Sequence, residues 1–154
     1  MKSSILLIVV LTAMSLGCLA QSAQETGQAS GCKPGNLSQS DAKTLEEMTS
    51  FLHDLKAAVA RDDKQQVAGM ARYPLAFSTA QDKVMIRSAQ ELVRKYDQIF
   101  TPQIKNLLAK QEAACISRVG AQGFTIGTGQ IWFDKFPDGK VKLFTVTAVT
   151  YSNE

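Results

Sequence analysis

The chain has 154 residues, 17 Lys and Arg against 14 Asp and Glu, and 45% hydrophobic side chains. The charges are dispersed and close to balance, and no basic stripe interleaves with aromatics, so the footprint of nucleic-acid binding is missing. One histidine and a few distant cysteines do not make a metal-ligand set or a His-based acid–base pair, and no metal or other cofactor is expected.

Residues 1–20 read as an export signal. Lys2 supplies a positive start, Ile5 to Leu16 form an apolar run, and small residues follow. Such a run is too short for a permanent bilayer span, which takes about 20 apolar residues. Two cleavage sites compete. Cleavage after Ala20 releases a chain that starts at Gln21. Cleavage before Cys18 fits Met14-Ser15-Leu16-Gly17-Cys18, which resembles the lipobox of bacterial lipoproteins, although Ser15 stands where the best lipoboxes have Leu. In that family the cysteine is lipidated, which holds the protein at a membrane surface without spanning it. Either route sends the chain to the periplasm or cell envelope.

Residues 21–39 are rich in Gln, Ser, Gly, Ala and Thr, with Leu37 their sole large aliphatic side chain, and read as a flexible tether. Residues 40–154 then suffice for one compact domain. Export leaves Cys32 and Cys115 in the body, and an oxidising compartment favours a disulfide between them; two unpaired thiols are the alternative.

Ser40 to Arg61 carry Leu45, Met48, Leu52, Leu55 and Val59 at spacings of three and four, which predicts a helix with one buried face. Ser38 with Asp41, or Ser40 alone, can cap it. His53 sits at the margin of the apolar stripe, as an exposed or hydrogen-bonded helix residue. Asp62-Asp63 opens a shorter helix with Val67, Met70 and Ala71 inside, ending near Arg72. Pro74 changes the rhythm, and Tyr73 to Phe77 reads as a short strand that begins at a sheet edge. A turn and a brief extended Val84-Met85-Ile86 follow. Ser88 and Glu91 form a capping box for a helix with Leu92, Val93, Tyr96, Ile99 and Phe100 inside. Thr101-Pro102 starts another, burying Ile104, Leu107 and Leu108.

From Ala113 the apolar period becomes two. Residues 114–119, 123–136 and 140–151 read as three antiparallel strands, with Pro137-Asp138-Gly139 as a turn and Gly127 and Gly129 marking a bulge or bend. Helices first and strands last predict an α+β fold, with N-terminal helices packed on one face of a curved antiparallel sheet.

This order resembles the nuclear-transport-factor-2-like fold of ketosteroid isomerases. Tyr73-Pro74-Leu75, the run from Glu91 to Thr101, and Ile126 to Phe133 are similar to uncharacterised exported bacterial members, over about residues 48–150. The resemblance implies helices and a curled sheet forming a cone with a pocket inside. It says little about activity, because the fold hosts unrelated enzymes, binders and immunity proteins. The isomerase's general base and Tyr–Asp oxyanion pair find no residue-by-residue match here.

Candidate chemistry therefore rests on single residues. Asp97 lies near the apolar face of its helix beside Tyr96, and a buried carboxylate there could act as a base with Tyr96 or Tyr73. Alternatively Asp97 braces the Thr101-Pro102 helix start or pairs with Arg72, Arg87 or Arg94. Trp132, Phe124, Asp97 and Tyr73 are the candidate ligand-binding set. Strand alternation lets only one of Trp132 and Phe133 face a pocket. The nucleophile elbow, P-loop and dinucleotide fingerprint are absent from the sequence. The first expectation is thus a non-enzymatic exported domain, binding a partner protein, an envelope component or a small apolar ligand. An isomerase- or dehydratase-like enzyme using Asp97 is the second, and an immunity or inhibitor protein the third. A homodimer through the sheet is compatible with all three.

Overall fold

A computed structural model describes residues 34–148. The export signal, Cys18, Cys32, most of the tether and the end of the last predicted strand lie outside the described residues.

Four helices precede or interrupt a six-stranded sheet. Helix α1 (Ala42–Ala60) starts at Asp41, whose carboxylate accepts from the Thr44 amide at 2.9 Å, so the cap is Asp41 and not Ser40. It buries Met48, Phe51, Leu52, Leu55 and Val59, while Leu45, expected on this face, stays 37% exposed. Arg61 ends it, and Asp62 turns the chain with φ of 52°, a left-handed geometry uncommon for a residue with a Cβ. Asp63 caps helix α2 (Lys64–Met70). Strands β1 (Ala71–Ser78) and β2 (Lys83–Ile86) form a hairpin. Ser88 caps helix α3 (Ala89–Ile99), accepting from the Glu91 amide, while the Glu91 carboxylate accepts from the Arg87 amide at 2.8 Å. Thr101 caps helix α4 (Pro102–Lys110), with Pro102 in the first turn, where no amide proton is needed.

The remaining strands are β3 (Ser117–Arg118), β4 (Phe124–Ile126), β5 (Ile131–Lys135) and β6 (Val141–Thr147). They join β1 and β2 in the order β2-β1-β6-β5-β4-β3. The result is an α+β fold in which helices pack on a curved, unclosed sheet. One buried cluster unites residues of all four helices with Leu75, Phe77, Ile131, Phe133, Leu143 and Val146 of the sheet. Its centre is aromatic: Phe51 stacks on Phe133 at 5.0 Å between centroids, and Phe124 stacks on Phe133 at 6.2 Å.

Four details differ from the sequence reading. The sheet is mixed, because β1 runs parallel to β6; every other pairing is antiparallel. Strand β1 is internal, not an edge. Pro74 is tolerated there because the β1–β6 register is interrupted between Ala71 and Ala76, where no ladder amide is required. The expected long strand over residues 123–136 is two strands. Gly127 (φ of 69°) and Gly129 (φ of 100°) make the turn between them, and a Cβ on Gly127 would collide with Gln130 and Leu107. Finally, Gly35 to Gln39 belong to the folded body and not to a tether. The Gly35 amide donates to the Ala114 carbonyl at 2.8 Å, the Leu37 amide to the Ile116 carbonyl at 3.2 Å, and Leu37 is buried. Asn36 lies against Arg118 of the edge strand β3, accepting from its amide at 2.6 Å and donating to its carbonyl at 3.2 Å. One side-chain amide thereby replaces a missing backbone partner at that edge. Cys115, beside this strap, is disulfide-bonded, and its partner lies outside the described residues.

Candidate functional site

Strand alternation divides the sheet into two faces. Leu75, Phe77, Ile131, Phe133 and Val146 point to the helices. On the other face the register sets one row across all six strands: Met85, Ala76, Thr145, Trp132, Thr125 and Ser117. A second group lies beside this row. The β5–β6 register slips after Trp132, so Phe144 is an extra residue on β6 and swings to the same side as Thr145. Phe144 meets Phe136 edge-to-face at 6.1 Å, and the Arg72 guanidinium lies 4.3 Å over the Phe136 ring. The buried cluster with the four helices lies on the first face, Thr125 in the row on the other face is itself buried, and among the described residues Arg72 has no carboxylate partner. Trp132, Phe136 and Phe144 stay half-buried, Arg72 and Pro74 are exposed, and Met85 is 42% exposed.

The rim of the face also has an open edge. The Thr79 amide bonds to the Asp82 carbonyl at 2.7 Å, which fixes the hairpin parity and turns the backbone polar groups of Lys83 and Met85 outward from β2. The next outward amide, on Arg87, is taken by Glu91. The opposite edge at β3 is closed by Asn36.

The residues expected to act chemically do not converge. Asp97 has a side chain 72% exposed and pairs with Lys64 at 2.7 Å, at the first turn of α2. That hydrogen bond holds its carboxyl below the usual carboxylate range, the direction opposite to a general base tuned toward neutrality. Tyr96 is fully buried and stacks on Phe100 at 4.9 Å, with the ammonium groups of Lys64 and Lys105 each 5.3 Å from its ring centroid. Its hydroxyl has no hydrogen-bond partner, and burial pushes its pKa up to about 12. Tyr73 turns to the helix side, where its hydroxyl donates to the Ala68 carbonyl at 2.8 Å; burial raises it also to about 12. Neither phenol is placed or tuned to exchange a proton near neutrality. Phe124 lies inside the aromatic stack and Trp132 on the opposite face, with its indole donating to the Gly129 carbonyl at 2.9 Å. Asp97, Tyr73, Phe124 and Trp132 thus occupy separate places. His53 is exposed beside Asp54, with 3.3 Å between Nδ1 and Oδ1.

Buried polar groups elsewhere are structural. The Gln111 side chain accepts from the Gly127 amide at 3.3 Å, and Gln130 accepts from the Thr128 amide, pinning the β4–β5 turn to the end of α4. Among the described residues no group of three or more His, Cys, Asp or Glu side chains is arranged to hold a metal. Sequence reasoning missed Arg72, Met85, Phe136 and Phe144. The period-two alternation of Arg72, Pro74 and Ala76 against Tyr73, Leu75 and Phe77 carried the signal, but not which set the helices would cover. Comparison with protein-family models, curated proteins and solved structures gives no match.

Proposed function

We propose that this chain is an exported, non-enzymatic binding domain of the cell envelope that docks a partner protein on its open sheet face. The observation that carries this reading is the sheet-face group of half-buried Trp132, Phe136 and Phe144 and exposed Met85, with Arg72, which pairs with no carboxylate among the described residues, over the Phe136 ring. Aromatic, Met and Arg side chains are the types enriched where protein interfaces concentrate their energy. The dispersal of Asp97, Tyr96 and Tyr73, and the direction of their pKa shifts, weigh against the isomerase- or dehydratase-like alternative. The bonded state of Cys115 supports export to an oxidising compartment. Gly35 runs beside Ala114, and Cys32 precedes Gly35 by three residues in the sequence, which supports the Cys32–Cys115 pairing. Cys18 is the proposed lipid attachment point. The order of helices and strands supports a nuclear-transport-factor-2-like architecture, here with a filled cone.

The test is affinity purification from the native envelope with three chains: the unaltered protein, Arg72→Glu, and Lys43→Glu on the helix side as control. A partner retained by the unaltered chain and the control but lost by Arg72→Glu is the expected result. A partner retained equally by all three refutes docking on the sheet face.

A further inference from the structure

A separate surface runs along the far side of α1. Alanines at 57, 60, 109 and 113 project only methyl groups where α1 faces the end of α4 and the residues after it. The two elements therefore leave a furrow of about 550 Å³ between them, floored also by Leu52. The furrow continues toward the start of α1 past Thr49 and Leu45, and in the other direction toward Lys105. It follows a helix of 19 residues, a length of roughly 28 Å. Its volume falls in the range of small-molecule sites, about 300–1,000 Å³.

One charged group stands within this apolar floor. Lys56 donates from Nζ to the Gln111 carbonyl at 2.5 Å, and among the described residues no carboxylate pairs with it. An ammonium has three donors, so two are left over. The other charges around the furrow sit on its rim or are already engaged: His53 beside Asp54, Lys105 on Asp62, and Glu46 and Glu112 at the edges. An apolar trough with a single unpaired cation matches one chemistry, a long alkyl chain ending in an anion.

We propose that the α1–α4 furrow binds a free long-chain carboxylic acid, with the carboxylate on Lys56 and the alkyl chain over the alanines. This site is independent of the sheet face. It commits to a free acid and not to a bilayer, because it offers one ammonium and one continuous floor.

Titration of the mature protein with decanoate, dodecanoate and tetradecanoate, followed by amide NMR shifts, tests it. Saturable shifts are expected at Leu52, Ala57, Ala60, Ala109 and Ala113, with the Trp132 indole unmoved. The Kd should fall about two- to fourfold per added methylene, until the furrow is full. Lys56→Gln should weaken dodecanoate about five- to tenfold and leave dodecanol unchanged. Ala109→Leu, which fills the floor with a helix-compatible side chain, should weaken every chain length. Shifts centred on the sheet face, equal affinity for dodecanoate and dodecanol, or indifference to both variants would overturn the proposal. So would equally tight binding to phosphatidylglycerol vesicles, which would assign the surface to a bilayer. Displacement of dodecanoate by an amphipathic helical peptide at lower concentration would assign it to a protein helix instead.

Discussion

Gly35→Ala is the most informative single change for the fold. A Cβ at this position would overlap the Ile116 carbonyl and the backbone of Cys115. These are backbone atoms that cannot rotate aside, so either the strap lifts or the segment around residue 115 shifts. Lifting the strap forfeits the Gly35–Ala114 and Leu37–Ile116 bonds, the paired Asn36–Arg118 contacts and the burial of Leu37. Burial of a leucine is worth about 1.5–3 kcal/mol, and a net hydrogen bond about 0.5–1.5 kcal/mol. A local shift costs less, about 1–3 kcal/mol as for other overpacked sites. The protein takes the cheaper route, so the expected loss is about 2–3 kcal/mol. Urea denaturation should show a lower midpoint with an unchanged slope, since the core and the surface exposed on unfolding are the same. Hydrogen exchange at the Arg118 amide should accelerate, because Asn36 is its acceptor. A loss under about 0.5 kcal/mol with unchanged Arg118 protection would refute the strap as part of the folded body.

Four further outcomes follow. The Asp41, Glu91 and Asp97 carboxyls are held low in the folded state, the first two chiefly by backbone amides and Asp97 by Lys64. Their contribution is present above the unfolded pKa of about 4 and lost as pH falls through the lower folded values, so denaturant midpoints should be flat above pH 5 and fall in acid. Tyr73 and Tyr96 are raised to about 12, so their contribution is complete below about pH 10 and lost as pH rises toward 12. Tyrosinate absorbance should reveal both phenols only as the chain unfolds; titration of both near pH 10 in the folded state would contradict their burial. Cys115→Ser should cost about 2–4 kcal/mol in denaturation, and reducing agent should destabilise the unaltered chain but not the variant. Asp97→Asn should leave the denaturation midpoint nearly unchanged, because an exposed ion pair contributes little. A larger loss in denaturation would contradict its placement on the surface.

The helices were legible because their signals are local. Asp63, Ser88-Glu91 and Thr101-Pro102 are caps written within four residues, and the periodicity of Leu92, Tyr96 and Ile99 names the buried side directly. The sheet was legible only in part. The parallel pairing of β1 with β6 joins segments about 70 residues apart, and nothing in Tyr73 to Phe77 announces it. Pro74 pointed to an edge because proline forbids a ladder bond, and the irregular register that accommodates it belongs to the tertiary structure. Asn36 is similarly silent in sequence: its role depends on Arg118, 82 residues away. Asp97 was placed near the apolar face by helical geometry, but Lys64 from a neighbouring helix draws its carboxylate into solvent. The open face could not be read from alternation alone, since alternation gives two faces and the helix packing chooses between them.

We propose that the sheet face carrying Arg72 and Trp132 is where this protein meets its partner. A photo-crosslinking amino acid at Thr145, between Ala76 and Trp132 in the cross-strand row, tests it most directly in the native envelope. The expected result is a discrete adduct to one protein that disappears when Arg72→Glu is added and is missing when the crosslinker is placed at Lys43 on the helix side. No adduct at Thr145, or an equal one at Lys43, would contradict the assignment of this face.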